Sequence, residues 1–188
     1  MASTTKKAIG NSLLALLQEK PLGSITINDI SAHCGISRKT FYYYYQDVYA
    51  LIYGYLEELA ERIVTEEDYD FWNTFSRFVT LITENRTAVM NVYQSVEHEI
   101  LYNFLHRTMS KYSRRMILHE TGGESFSEAD VDMAANICVT GILTVILQWL
   151  HFNMITDINS VFAHHREKLD GFSVKLLRHM AETGKQKQ

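Results

Sequence analysis

A single proline, Pro21, stands in a chain of 188 residues. Inside a helix a proline costs about 3 kcal/mol, because it has no N–H to give and its ring meets the preceding turn. A chain that almost avoids it is free to be helical nearly throughout. Most of the nine glycines fall where a helix can stop, at Gly23, Gly35, Gly122, Gly123 and Gly184. With 46% hydrophobic residues, the chain also has enough apolar material for a substantial core. The fold class this predicts is all-α.

Apolar periodicity places the helices. Ile9, Leu13, Leu16 and Leu17 share one face of a first helix over 4–19, which Lys20-Pro21-Leu22-Gly23 ends. Thr26 followed by Asp29 fits a capping box opening a helix over 27–34, and Gly35 closes it. Ser37 is a second N-cap candidate, for a helix through Tyr44. Asp47 is a third, for a long helix carrying Leu51, Ile52, Leu56, Leu59 and Ile63. Beyond the acidic patch Glu66, Glu67 and Asp68, further helices are marked by Phe71 to Ile82, by Val89 to Tyr93, and by Ile100 to Tyr112. The last of these ends near Thr121-Gly122-Gly123-Glu124. Residues 130–154 read as a mostly apolar helix and 160–182 as one amphipathic helix.

The net charge is −4, but it is unevenly spread. Residues 1–55 carry five Lys/Arg against three acids, and the remainder carries 13 against 19. A mildly basic head on an acidic body fits a nucleic-acid module joined to a domain that does not touch nucleic acid. The division this implies is a head over 1–47 and a body over 48–188. The N-terminal stretch reads as a helix, since Gly10, Asn11 and Ser12 break its apolar run and no cleavage pattern follows. The longest apolar run, Ile137 to Leu150, is interrupted by Thr140, Gly141, Thr144 and Gln148. It falls short of the roughly 18 residues a membrane span needs. A soluble, cytoplasmic chain with no membrane partner is the expectation.

Two short helices joined at Gly35 form a helix-turn-helix. Gly35 supplies the left-handed backbone of the turn. Ser31 and Ala32 let the second helix cross closely, and Ile27, Ile30, Ile36 and Phe41 provide a small core. The second helix, Ser37 to Tyr44, is where a recognition helix belongs, entering the major groove with its N-terminal residues. Arg38 and Lys39 reach guanine edges or phosphates, Thr40 a phosphate or a thymine methyl, and the tyrosine hydroxyls the DNA backbone. Of Tyr42 to Tyr45, two are expected in the core and two facing DNA. The N-termini of the helices starting at Ile27 and Val48 also present free N–H groups suited to phosphates.

The stretch ITINDISAHCGISRKTFYYYYQDVYAL, with the leading helix TTKKAIGNSLLALL and the Lys-Pro-Leu connection, resembles the DNA-binding signature of the TetR/AcrR family of bacterial regulators. The likeness covers residues 4–56. Within the family, KTFYYYYQD resembles the branch of dihydroxyacetone-kinase operon activators. The resemblance implies DNA-contacting positions at Thr26, Arg38, Lys39, Thr40, Tyr42 and Tyr44, with Phe41 and Tyr45 in the core. Ser37 and Tyr43 join the candidates from the helix itself. Val48 stands where many members carry a lysine, which leaves backbone amides to hold phosphate there.

For the body, the resemblance implies a ligand pocket among the central helices and a dimer interface built from the last two long helices. Trp72, Phe75, Phe78, Tyr93, Tyr102, Phe104 and Trp149 are the pocket candidates. The apolar helix over 130–154 needs cover on every side, which a second copy would supply, with Ala134, Ala135 and Gly141 allowing close approach. The expected partners are a palindromic operator, a second copy, and a small-molecule or protein effector. Cys34 and Cys138 lie far apart in no metal-binding spacing, and His164 with Glu167 has no further ligands, so neither metal nor cofactor is called for. His98, His106 and His119 read as solvated. No phosphate loop, nucleophile elbow or carboxylate pair in a recognisable frame points to an enzyme.

Overall fold

A computed structural model describes residues 2–64 and 70–185, so the acidic patch at Glu66, Glu67 and Asp68 lies outside the described residues. Those residues are helical with short connections: α1 Ala2–Leu17, α2 Ile27–Cys34, α3 Arg38–Tyr44, α4 Val48–Ile63, α5 Phe71–Glu84, α6 Arg86–Tyr93, α7 His98–Glu120, α8 Glu128–His151, α9 Ile158–Leu169 and α10 Phe172–Lys185. A 3-10 turn at Leu22–Ser24 follows α1. The all-α expectation holds.

The chain divides into two compact units, Met1–Arg62 with Thr80–Leu101, and Ile63–Val79 with Tyr102–Gln188. Helices α5 and α7 thus contribute residues to both. In the first unit, α1 packs on α2 and α6, and α2 on α3. Ile9, Leu13 and Leu17 of α1, Leu22, Ile30 of α2, Phe41 of α3 and Leu51 of α4 are fully buried. Gly10 sits inside α1 because Tyr55 of α4 crosses there: a Cβ would fall 2.9 Å from Tyr55 Cδ2.

In the second unit, Ile117 of α7, Val131, Ala134 and Ala135 of α8, and Leu177 of α10 form one buried cluster, bordered by Phe126, Leu176 and Met180. Arg114 of α7 pairs with both Glu128 and Asp132 of α8, and Arg178 of α10 pairs with Glu124. By length and composition α8 could cross a membrane, contrary to the short apolar run read from sequence. The helix starts two residues earlier than the apolar pattern gives because Ser127, not foreseen as a cap, accepts from the Asp130 amide. Val131, Val139, Leu143, Ile146 and Leu150 are buried as core residues are.

Two later boundaries also depart from the sequence reading. The single amphipathic helix over 160–182 is two helices, broken at Gly171, whose φ of +64° is left-handed and closes α9. The apolar helix ends at His151 rather than Met154, because Asn153 and Met154 turn left-handed at φ 54° and 56°. Trp149 Nε1 spans that turn, donating to the Thr156 carbonyl at 2.8 Å.

Candidate nucleic-acid interface

The turn between α2 and α3 is built from local bonds. Thr26, in extended backbone, accepts from the Asp29 amide at 3.1 Å, while Asp29 Oδ2 accepts from the Thr26 amide at 2.8 Å. This is the reciprocal capping box. The Thr26 hydroxyl proton also goes to Asp29 Oδ2. Lys20 Nζ adds a third donor at 2.9 Å. Lys20 and the two Thr26 donors hold the Asp29 carboxyl at a pKa of about 2, below its ordinary 3.8. Gly35 then turns at φ +69°, its amide donating back to the end of α2, and the Ile36 amide reaches the Ser31 carbonyl at 3.0 Å. Ser37 caps α3 by accepting from the Thr40 amide at 3.1 Å, and its Oγ lies 2.9 Å from Thr40 Oγ1.

The seven residues of α3 are thus capped at Ser37 and anchored by one buried residue, Phe41. Around it, Arg38, Lys39, Tyr42 and Tyr43 are exposed, Tyr43 at 79%. Thr40, Tyr44 and Tyr45 are half-buried. The Tyr45 ring leans on Phe41, and burial, then Glu58, pushes its phenol pKa up. Tyr43 and Tyr44 meet edge to face at 4.9 Å. At the start of α4, Asp47 accepts from the Ala50 amide at 2.7 Å. Tyr49 and Tyr53, one turn apart on α4, were not foreseen in the site. Tyr49 is exposed, and burial, with Tyr49 and Asp47 nearby, raises the Tyr53 phenol.

The exposed candidates Arg38, Lys39, Tyr42 and Tyr43 are brought together on one short helix, whereas the side-chain oxygens of Thr26 and Ser37 are engaged in capping. Ser12, buried in α1, meets His33 Nδ1 of α2 at 2.7 Å and ties those helices together. No residue pattern signals that bond, since its partners lie 21 positions apart.

The pocket candidates are more dispersed. Trp72 and Phe75 both pack on Phe162 of α9, at 6.4 and 4.3 Å between ring centres, and Trp72 Nε1 donates to Asp170 Oδ1 at 3.3 Å. Phe78 is half-buried, and Phe104 and Trp149 are buried. Tyr102 meets the His106 ring at 5.6 Å. Tyr93 belongs to the first unit and stacks on His98 at 5.0 Å. His106 corrects the sequence reading. It is not solvated but half-buried, with Nε2 2.9 Å from Asn136 Oδ1 and 3.3 Å from Thr140 Oγ1. His106 of α7 and Asn136 and Thr140 of α8 thus satisfy one another's polar groups.

A family model described as bacterial regulatory proteins, tetR family, matches residues 11–52, and one described as a transcriptional regulator C-terminal region matches residues 72–165. The HTH-type transcriptional regulator YxbF of Bacillus subtilis (strain 168) is 25% identical over 99 residues, 53% of this chain. The match spans 25% of that relative's own length. Among solved structures, the dihydroxyacetone kinase operon activator DhaS gives a TM-score of 0.65 at 18% identity, covering 95% of this chain and 97% of that one. A TetR regulator from Rhodococcus sp. RHA1 gives 0.65 at 17% identity, covering 94% and 99%. RolR without ligand gives 0.55 at 18% identity, covering 93% and 89%. At these identities the structural likeness is one of fold. The two family models together span the capped turn, α3 and most of the helical body, and the chain belongs to the TetR family of bacterial transcriptional regulators.

Proposed function

We propose that the chain is a homodimeric, effector-responsive regulator that reads a palindromic operator with α3, working in the cytoplasm. The DNA-contacting set is Thr26, Ser37, Arg38, Lys39, Thr40, Tyr42, Tyr43 and Tyr44. The carrying observation is that Arg38, Lys39, Tyr42 and Tyr43 are exposed around a helix whose ends and anchor are fixed by Ser37, Gly35 and Phe41. A rigid, capped helix pays little ordering entropy on entering the major groove. Arg38 and Lys39 act on guanine edges or phosphates, the tyrosine hydroxyls on the backbone, and Thr26 contributes by its cap rather than by its proton.

The dimer reading is supported by α8. Met133, Ile137 and Val145 are exposed at 50%, 43% and 38%, with Gly141 completing a spacing of four along one side. Such a stripe stays wet in a single chain and is covered when α8 and α10 meet their copies in a four-helix contact. An effector site among Trp72, Phe75, Phe78, Tyr102, Phe104 and Trp149 is the reading for the second unit, without Tyr93, which belongs to the first, and with a small molecule favoured over a partner protein.

A salt-dependent binding titration against DNA around the protein's own gene tests the proposal. Competitor-resistant binding whose affinity falls steeply with salt supports it. Binding that competitor DNA abolishes, with and without cell extract added, rejects it. Sedimentation of an Ile137→Arg variant tests the dimer, which should dissociate to single chains.

A further inference from the structure

The last carbonyl of α1, that of Leu17, lies past the helix's own ladder, as the final carbonyls of every helix do, and takes its partner from elsewhere. In an α-helix the oxygen of residue i takes the amide of residue i+4, and for Leu17 that residue is Pro21, which has no N–H. The neighbouring amides go elsewhere: Gln18 donates to Ala15, and Glu19 and Lys20 both donate to Leu16. Pro21 then leaves in extended backbone at φ −58°, ψ 147°. The Leu17 oxygen is instead met by Asn91 of α6, whose Nδ2 donates to it at 2.8 Å across 74 positions of sequence. The other end of Asn91 is also fixed, since its carbonyl accepts from Ser95 Oγ at 2.7 Å. The bond belongs wholly to the first unit, where α1 packs on both α2 and α6.

We propose that Asn91 is a positioning residue for DNA binding: its carboxamide stands in for the amide that Pro21 lacks and seats α1, and with it the helix-turn-helix, on α6. The inference rests on the DNA-binding reading above. Helix α1 carries Ile9, Leu13 and Leu17 into the core that also holds Ile30 and Phe41, so the seating of α1 sets the platform of α3. Without the donor, the Leu17 oxygen is left part-buried and unpaired. The end of α1 then loosens, and ordering it again opposes DNA binding. A carboxamide suits the position because it supplies a donor without charge. Aspartate keeps its shape but offers only acceptors, and alanine removes the donor without adding charge.

The test uses the full chain carrying Asn91→Asp or Asn91→Ala, titrated against DNA fragments tiled around its own gene, with amide exchange followed in parallel. Both variants should exchange faster around residues 16–20 with α8 unaffected. Both should bind DNA about threefold to tenfold more weakly, the size of one lost hydrogen bond. Faster exchange with DNA affinity equal to the parent chain would reduce Asn91 to a structural cap and overturn the inference. Unchanged exchange would overturn the bond itself. If the parent chain binds none of the fragments, the DNA-binding reading fails, which is a different result from variants that bind as the parent does.

Discussion

Arg38 leans along α3 onto Tyr42, one turn away. Its guanidinium carbon lies 6.0 Å from the ring centre, and Nη2 is 3.5 Å from the phenolic oxygen, the outer limit of a hydrogen bond. Cation and ring hold each other in a common outward direction. Arg38→Ala should therefore weaken operator binding by about 1–3 kcal/mol if the guanidinium reads a base edge, with the melting temperature unchanged. Lys39→Ala should lower the salt slope of binding by about one. Unchanged affinity and slope in both variants would remove α3 from the interface.

The capping box gives a stability prediction free of DNA. Thr26→Ala removes the side-chain acceptor for the Asp29 amide and should cost about 1 kcal/mol. Denaturant unfolding checks it, and a cost near zero would mean that α2 does not depend on its cap.

Asp29 adds a pH signature. Its folded pKa of about 2 lies below the ordinary 3.8, so its charged form is favoured by folding. That contribution is complete above 3.8 and is lost as pH falls through about 2. Asn at this position should flatten the acid limb of the stability curve in that window. An identical acid limb in Asp29→Asn and the parent would show the bonds of Lys20 and Thr26 to the carboxylate to be without effect on stability.

Glu120 should behave in the opposite sense. Desolvation, with Asp170 and Asp70 nearby, raises its carboxyl pKa despite the 3.0 Å bond from Ser173 Oγ. A raised carboxyl favours folding when protonated, so lowering the pH through its folded pKa towards 4.5 should strengthen the second unit. Glu120→Gln should be at least as stable as the parent at neutral pH and should lose that gain. A Gln variant weaker at neutral pH would place the Ser173 bond above the repulsion.

Two glycines separate backbone strain from crowding. At Gly35 a Cβ meets nothing within 4 Å, so Gly35→Val fails through its left-handed φ of +69°, at about 1–2 kcal/mol, while Gly35→Asn costs less. At Gly10 the backbone is helical and the ring of Tyr55 is the obstacle. Gly10→Ala should destabilise by about 1 kcal/mol, because overpacking exceeds the helix-propensity gain. Thermal melts that rank Asn above Val at 35, and glycine above alanine at 10, would agree.

What could be read from sequence was what short stretches decide for themselves. Thr26, Asp29, Gly35 and Ser37 act on neighbours three or four residues away, and the start and end of α2 and the start of α3 follow from them. Gly171 was passed over because the apolar pattern of α9 and α10 runs through it, and only its left-handed φ divides them. Phe162 beneath Trp72 and Phe75, and Asn136 opposite His106, come from helices far along the chain, and no local pattern announces a partner. Asn91 is the extreme case. Pro21 advertises a missing donor, but nothing in the order of residues says that α6 will supply it.

The composition of the first unit also bears on how such regulators can be recombined. Residues Thr80–Leu101 complete it, although residues 63–79, with the start of α5, intervene in the chain. A chimera joined after residue 47 would transplant α1 without the helix that covers it and without the carboxamide that closes its end. A working transplant of operator specificity would carry α6 along as a second, discontinuous insert. Exchanging only the outward residues of α3 would leave that architecture untouched.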